Sequence, residues 1–399
     1  MPLNVLPTLR RVRHLLGACL LGAVLVGCQS NPPAPKGPVS LGMASQRLGD
    51  DLLAQVNGNV LERLISRTVV LDPFIDAQSG QQTASSVQAA NLVTQRLRAR
   101  NTNLKLERFD GNGVAVAEYL IAGTLRKTTA DGSEYQMNAT LTERRTGTVL
   151  ASAVARVRGS DIDSTPTAFY ADSPSIVSAQ LTQGYIRTSQ AAQGGAADQA
   201  YLASVGTGAL INEATQAYEQ GRWSDALVRY QAVAQRADGK QLRVLNGLYN
   251  SHTKLGNAKE AEAAFAQIVA LGLSTNNLAV RLLFNPGSTD FWRDRAVSSI
   301  YPMWLRQIGS ETTAGDYCMT VVGHTSKTGS EATNDRLSQA RAKTVRDMLV
   351  AQERKLGERV EVDGMGWREN LIGSGTDDAR DSLDRRVEFK VRNCKGRGA

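Results

Sequence analysis

The chain has 399 residues, of which 42% are hydrophobic and 5% aromatic, with 46 Lys and Arg against 38 Asp and Glu. This composition fits two or three globular domains and excludes collagen-like, wholly disordered and polytopic membrane proteins. The four cysteines, at positions 19, 28, 318 and 394, form no CxxC pair of the type that builds zinc sites, so we expect no structural metal and no cofactor.

The amino terminus has the pattern of an export signal. A basic segment at residues 10–13 precedes an apolar run at residues 15–27, which is shorter than the roughly 20 residues that span a bilayer as a helix. The run ends in LVGC, which resembles the lipobox of bacterial lipoproteins. The resemblance implies that residues 1–27 are a cleaved signal peptide and that Cys28 carries the lipid. Gln29, in place of aspartate, implies an outer-membrane protein that faces the periplasm. The alternative is an ordinary signal peptide with a chance cysteine.

Removal of residues 1–27 changes the interpretation of charge and cysteines. Three arginines and no acidic residues leave with the signal, so the net charge falls from +8 to +5 and the case for a nucleic-acid partner weakens. Cys318 and Cys394 are then the only thiols left in an oxidising compartment, and each lies beside a strand-like run. We predict that they form a disulfide; the alternative is two buried free thiols.

Residues 28–45 are rich in proline and predict a stiff tether of some 50 Å between the lipid and a folded domain. Residues 46–190 mix strand and helix periodicity, which predicts a mixed α/β domain. The predicted elements are a strand at 67–74, a helix at 85–97 and strands at 104–109, 119–125, 135–141 and 148–157. The phrases VVLDPF, YLIAGTL and ATLTERRTGTVLASA resemble periplasmic domains of the FlgO, CsgG and TolB amino-terminal kind.

Residues 186–207 are rich in glycine, alanine and glutamine and predict a linker, after which an internal repeat spans residues 206–276. The positions Gly221, Ala226 and Tyr230 recur 35 residues later as Gly256, Ala261 and Phe265. This period resembles the tetratricopeptide repeat and implies two helical hairpins packed on a neighbouring domain. Two copies of the repeat are compatible with a peptide-binding groove or with a structural spacer. The candidate partners of residues 46–276 are other proteins of the cell envelope.

Strand and helix patterns alternate in the carboxyl-terminal third, which predicts an α/β sandwich. The predicted strands are 280–284, 317–323, 359–364 and 386–391, and the predicted helices are 291–308 and 331–353. The segments GHTS (323–326), NDRLSQARAKTV (334–345) and DRRVEF (384–389) resemble, in order and spacing, the OmpA-like peptidoglycan-binding domain. The resemblance assigns residues 277–396 to a βαβαβ sandwich of that family. The predicted fold class of the whole chain is thus α/β or α+β, in several domains.

The second helix of this third carries the candidate site. Leu337, Arg341 and Val345 follow a spacing of four and Met348 and Leu349 continue the stripe, so a guanidinium lies on the face that meets the sheet. A partly buried arginine requires a carboxylate, from the protein or from a ligand. The resemblance implies that Arg341 holds a carboxylate of the diamino acid in the peptidoglycan stem peptide, and that an aspartate of the family motif holds its ammonium.

That aspartate is replaced here by Ser326. Three interpretations stay open: weaker binding by Ser326 with Thr325, Asn334 and Arg341; replacement of the acid by Asp377, Asp378, Asp381 or Asp384; or a retained fold that binds something else. Leu337 and His324 complete the candidate peptidoglycan-binding residues. The alternative to a ligand-binding role is a structural one, in which Arg341 forms an internal salt bridge with one of these aspartates.

His324 fits a residue at a strand end that shapes the pocket, because no candidate nucleophile lies next to it. The sequence therefore predicts a protein that is not an enzyme. The expected function is an outer-membrane lipoprotein that tethers the membrane to peptidoglycan. The alternative is a periplasmic scaffold of an envelope machine whose OmpA-like domain has weak or lost peptidoglycan binding.

Overall fold

In the computed structural model of this protein, the described residues are 37–56, 66–100, 103–176, 180–371, 375 and 384–394. The predicted signal peptide, the lipidation site at Cys28 and the first part of the tether lie outside the described residues. Residues Gly37–Ala399 form one compact unit.

The chain is a mixed α/β protein with three groups of elements. The first group contains α1 (Leu41–Val56), β1 (Arg67–Leu71), β2 (Ile75–Asp76), α2 (Ala84–Arg100), β3 (Leu104–Glu107), α3 (Gly111–Val116), β4 (Tyr119–Lys127), β5 (Glu134–Glu143), β6 (Val149–Arg158), α4 (Ala168–Asp172) and α5 (Gln180–Ser189). The second contains α6 (Gln199–Glu219), α7 (Trp223–Ala234), α8 (Leu242–Lys254) and α9 (Ala258–Ser274). The third contains β7 (Leu278–Val280), α10 (Arg295–Ser298), α11 (Tyr301–Ala314), β8 (Cys318–Gly323), α12 (Glu331–Gln352), β9 (Val360–Gly364) and β10 (Val387–Arg392).

The first sheet has the order β3-β1-β4-β5-β6, with β2 beside β4. Its strands β3, β1 and β4 are parallel, and β4, β5 and β6 are antiparallel. Neighbouring residues of β4 point to opposite faces, so Ile121 packs with α1 and α2 while Leu120 and Ala122 pack with α3, α5 and α6. Helices therefore cover both faces of the parallel half of this sheet.

The folded part begins earlier than the sequence predicts. Residues 41–45, assigned to the tether, form the first turns of α1, and Val39 pairs with Val157 of β6. The burial of Leu41 and Ala44 against α2 and β6 explains the difference, because these small apolar side chains complete the first core. The predicted tether thus loses its last third to the fold.

The predicted linker at residues 186–207 is also wrong in part. Its first residues end α5, and residues 199–207 form the first two turns of α6. Asp198 caps α6 by accepting a hydrogen bond from the Tyr201 backbone at 3.0 Å. Gly206 and Gly208, two of the glycines that suggested a flexible segment, lie inside this helix, where burial of Val205 and Ala209 against the sheet offsets their low helix propensity.

The second group forms two helical hairpins, α6 with α7 and α8 with α9, and α7 packs on α8. Gly221 and Gly256, the equivalent positions of the two repeats, have φ values of +72° and +76° just after α6 and α8. These are left-handed conformations that favour glycine at a helix end. The equivalent pairs Ala226 and Tyr230, and Ala261 and Phe265, are all buried, so the 35-residue period marks helix packing. The likeness to tetratricopeptide repeats stays a prediction.

The third group builds a sheet of order β7-β10-β8-β9, in which β8 and β9 are parallel and β10 is antiparallel to β7 and β8. Two predicted elements differ: the first strand ends at Val280, and the predicted helix at 291–308 is divided into α10 and α11. Cys318 and Cys394 form the predicted disulfide, which joins the start of β8 to the residues after β10.

Helix α9 shares a core with this second sheet. Phe265 stacks on Trp304 of α11 with ring centroids 5.3 Å apart, and the Trp304 indole N–H donates to the Tyr249 hydroxyl at 3.0 Å. The last helical hairpin and the carboxyl-terminal sheet therefore bury one continuous apolar cluster. Within the part of the chain that the structure describes, no helix has the length and apolar character needed to cross a membrane.

Candidate functional site

Glycines bring α12 close to the carboxyl ends of β8 and β9. A Cβ placed on Gly323 would lie 2.1 Å from the Ser338 carbonyl oxygen, and one on Gly364 would lie 2.5 Å from the Gln339 nitrogen. Only glycine permits this approach of strand to helix. The Gly366 N–H then donates to the Ser338 hydroxyl at 2.9 Å, which fixes the loop after β9 on the same helix. The GHTS segment after β8 is thus held against the amino-terminal half of α12.

Arg341 lies on the face of α12 that meets the fold, with 2% of its surface exposed. Its Nε donates to the Ser288 carbonyl and its Nη2 to the Asn285 carbonyl, both at 3.1 Å. The guanidinium also lies over the Phe284 ring, 5.0 Å from its centroid. The loop between β7 and α10 therefore fixes this cation in one position.

The buried stripe of α12 differs from the predicted one. Leu337 is half-buried and Met348 is 37% exposed, so neither belongs to the central row. The row that packs inward contains Asn334, Ser338, Arg341, Ala342, Val345 and Leu349. This row is polar toward the amino-terminal end of the helix and apolar toward the other end, which is why the hydrophobic pattern alone misplaced it.

Asn334 holds the loop that carries the serine. Its side-chain amide donates to the Thr328 carbonyl at 2.7 Å and to the Ser330 carbonyl at 3.1 Å. Ser326, 5% exposed, lies with its hydroxyl 3.4 Å from the Thr328 hydroxyl. The Thr325 N–H donates to the Gly366 carbonyl at 2.8 Å, and the Thr325 hydroxyl is buried with no partner among the described residues. The structure thus joins Thr325, Ser326 and Asn334 in one loop and helix arrangement.

His324 follows the end of β8, as predicted, with 1% of its surface exposed. Its Nε2 lies 3.6 Å from Glu388 Oε1 and its Nδ1 lies 3.9 Å from Glu369 Oε2. Burial lowers the pKa of His324, because it disfavours the charged form of the ring. Burial alone would raise the pKa of Glu388, but the nearby His324 and the positive charge of Arg386 outweigh it and lower the pKa to about 2.

His324, Glu369 and Glu388 offer three ligand atoms that lie within 4.8 Å of one another. The Arg386 guanidinium lies 2.6 Å from Glu388, and Lys390 lies 3.6 Å from both glutamates. A divalent cation would have to displace these two cations, so the charge of the cluster argues against metal binding.

Several site residues were not predicted from the sequence. Asn285 and Ser288 contact Arg341 through backbone carbonyls, which no side-chain pattern indicates. Lys327 lies over the Trp367 ring, 5.4 Å from its centroid, and donates to the Ala130 carbonyl in the turn between β4 and β5. Of the four candidate acids, Asp384 is buried and accepts a hydrogen bond from the Leu371 N–H at 2.6 Å. Asp377, Asp378 and Asp381 lie outside the described residues.

Comparison with known proteins identifies the family of the carboxyl-terminal domain. Residues 283–383 match the OmpA family. The chain thus carries a carboxyl-terminal OmpA family domain. A stretch of 72 residues is 40% identical to outer membrane porin F of Pseudomonas aeruginosa, and the match covers 18% of this chain and 20% of the porin. The likeness to this relative is therefore confined to a fifth of its length.

Solved structures also match about three tenths of the chain. The peptidoglycan-associated lipoprotein of Burkholderia pseudomallei is 22% identical, with 29% of this chain and 89% of that chain covered and a TM-score of 0.24. The periplasmic domain of Helicobacter pylori MotB is 17% identical, with 29% and 73% covered and a TM-score of 0.24. Residues 46–276 keep their FlgO-like and tetratricopeptide-like assignments as predictions only.

Proposed function

We propose that this protein is an outer-membrane lipoprotein that tethers the membrane to peptidoglycan. The lipid on Cys28 would hold one end, and the OmpA family domain would bind the stem-peptide diamino acid without a covalent bond. The match of residues 283–383 to the OmpA family supports the class of ligand. The lipobox-like segment before Cys28 supports the anchor.

The observation that carries the proposal is the fixed position of Arg341. Two carbonyls and an aromatic ring hold the guanidinium at the inner face of α12. A cation that is already ordered loses little side-chain entropy when it binds a carboxylate. Arg341 is also the residue that matches the ligand-binding arginine of the family motif.

Position 326 sets the affinity. A serine hydroxyl can accept a hydrogen bond from the ligand's ammonium but supplies no negative charge. Loss of a buried charge-assisted bond costs about 2 to 5 kcal/mol of binding free energy. We therefore expect weaker binding than a domain with aspartate at this position would show.

The direct test is co-sedimentation with insoluble peptidoglycan sacculi. We would use residues 37–399 and not the isolated carboxyl-terminal domain, because a cut at residue 277 would expose the core that α9 shares with the second sheet. We expect the native chain to pellet and an excess of free diamino acid to release it. Arg341→Lys removes the planar fork and should weaken binding about thirtyfold, which corresponds to about 2 kcal/mol.

Arg336→Lys is the matched control, since Arg336 is an exposed arginine on the same helix. This variant should pellet like the native chain. Circular dichroism and thermal unfolding would establish that both variants fold. A folded Arg341→Lys variant that pellets as well as the native chain would contradict the assignment of Arg341 as the carboxylate ligand.

A second candidate function is a scaffold whose OmpA-like domain docks to another protein. Ser326 favours it, because a neutral hydroxyl stands where the family motif has the acid that would pair with the ammonium of a diamino acid. The test uses the variant Ser326→Asp in the same sedimentation assay. If the native chain stays in the supernatant and Ser326→Asp pellets, the pocket is intact but lacks the acid, and the scaffold becomes the better explanation.

A further inference from the structure

A cavity of about 70 Å³ lies between the first sheet and the helical hairpins, far along the chain from the OmpA-like site. Its walls come from the residues after β1 and from α4, α5, α6 and the start of α8. The polar lining side chains that matter here are Asp72, Tyr170, Tyr185, Tyr201 and Arg243.

Asp72 lies at a special position of the first sheet. Strand β1 lies between β3 and β4 and is parallel to both, and Asp72 directly follows its carboxyl end. The chain passes from β1 through α2 to β3 on one side and returns through α3 to β4 on the other. In open α/β sheets, ligands bind outside the carboxyl ends of the strands where the connections diverge in this way.

Two opposite charges line this cavity from different elements. The Arg243 Nε is buried with no hydrogen-bond partner among the described residues. The Asp72 carboxylate accepts a hydrogen bond from the Tyr201 hydroxyl at 2.7 Å. The two groups are close enough to influence each other electrostatically, yet no ion pair between them occurs in the described part of the chain. Each group therefore retains hydrogen-bonding capacity that faces the cavity.

The charges restrict the chemistry of a ligand. A ligand with only a carboxylate would pair with Arg243 but would be repelled by the negative Asp72. A ligand with only an ammonium group would pair with Asp72 but would be repelled by Arg243. A compact molecule that carries both a carboxylate and an ammonium group can pair with Arg243 and Asp72 together and adds no net charge to the cavity. We propose that this cavity binds a small zwitterion, a free amino acid with a short side chain, whose carboxylate bonds Arg243 and whose ammonium bonds Asp72.

The energetics of Asp72 support this assignment. Burial raises the pKa of Asp72 to about 7, so the protein environment penalises its charged form. A bound ammonium would remove that penalty. The volume also fits, since one water molecule needs roughly 10 to 15 Å³ by this measure and the cavity has room for a molecule the size of several waters.

The test is a ligand series on residues 37–399, by isothermal titration calorimetry and thermal unfolding above neutral pH, where Asp72 is charged. The probes are glycine, L-alanine and L-serine, with acetate and methylamine as matched molecules that carry one charge each. We expect at least one amino acid to bind and raise the unfolding temperature, and to bind at least tenfold more tightly than acetate or methylamine. Equal binding of acetate, or no binding of any amino acid at millimolar concentration, would overturn the proposal.

Two variants separate the roles of the two charges. Arg243→Gln should weaken amino-acid binding at least tenfold, while Arg336→Gln, a change of an exposed arginine on α12, should leave it unchanged. Asp72→Asn keeps an acceptor for Tyr201 but loses the charge, so acetate should then bind as tightly as glycine. An Asp72→Asn variant that still prefers glycine over acetate tenfold would contradict the role of Asp72, even if Arg243→Gln fails to fold.

Discussion

Replacement by alanine should change the unfolding free energy in opposite directions at two buried glycines, Gly323 at the close approach of β8 to α12 and Gly309 in α11. In Gly323→Ala the new methyl group would lie 2.1 Å from the Ser338 carbonyl oxygen, about 1 Å inside normal contact. That oxygen belongs to the backbone of a 22-residue helix, which cannot yield locally as a side-chain end could. Overpacking of this kind costs 1 to 3 kcal/mol, and a backbone clash lies at the upper end, so we expect a loss of about 3 kcal/mol of unfolding free energy.

Gly309 in α11 is the matched control. It is also buried, but a Cβ there would lie 3.6 Å from Leu356 and 3.9 Å from Leu349, which is ordinary contact. Because alanine is a better helix former than glycine, Gly309→Ala should stabilise the protein by about 0.5 to 1 kcal/mol. Urea unfolding followed by tryptophan fluorescence reports on this region, since three of the four tryptophans lie beyond residue 290. A cost below about 1 kcal/mol for Gly323→Ala, at unchanged denaturant slope, would refute the packing argument.

Two further predictions concern the same domain. Replacement of both Cys318 and Cys394 by serine opens a loop of 76 residues and should lower the unfolding free energy by about 4 kcal/mol, a loss that reductant should reproduce in the native chain. Glu388→Gln leaves the Arg386 guanidinium, 3% exposed, without its ion pair and should cost about 3 kcal/mol at pH 7. Because the pKa of Glu388 is lower in the folded chain than in the unfolded chain, its contribution exists above pH 4.5 and disappears as the pH falls toward 2. Unfolding curves of the native chain and of Glu388→Gln that differ equally at pH 7 and near pH 2 would contradict this assignment.

Elements with strong local signals were predictable from the sequence. The hairpin β5–β6 has alternating apolar residues on both sides of a Thr-Gly turn, and Gly147 adopts the positive φ of +74° that such a turn favours. The helix α12 was predicted within one residue of its observed end, and in the structure the Ser330 side chain caps its start. In contrast, the first part of α6, residues 199–207, was predicted as a linker, since this helix is stabilised by packing on α3, α5 and α7 more than by its own composition.

The candidate site was predictable only where it depends on one helix or one motif. The family-like phrases indicated Arg341, His324 and Asn334, and all three are buried. The contacts that fix Arg341 come from carbonyls of Asn285 and Ser288, more than 50 residues away, and a backbone group has no sequence signature. The link from Lys327 to the β4–β5 turn depends on how the first sheet packs against the carboxyl-terminal domain, which periodicity cannot encode.

The packing of α9 on the second sheet bears on how a tether would work. If the protein binds lipid at Cys28 and peptidoglycan at Arg341, a load on residues 180–371 acts on a packed unit, because α9 and the second sheet share the core around Phe265 and Trp304. Extension is then left to the segment between the lipid and Val39. Its ten residues, Gln29 to Pro38, reach at most about 35 Å, so the fold of residues 39–56 shortens the span that the sequence alone predicts.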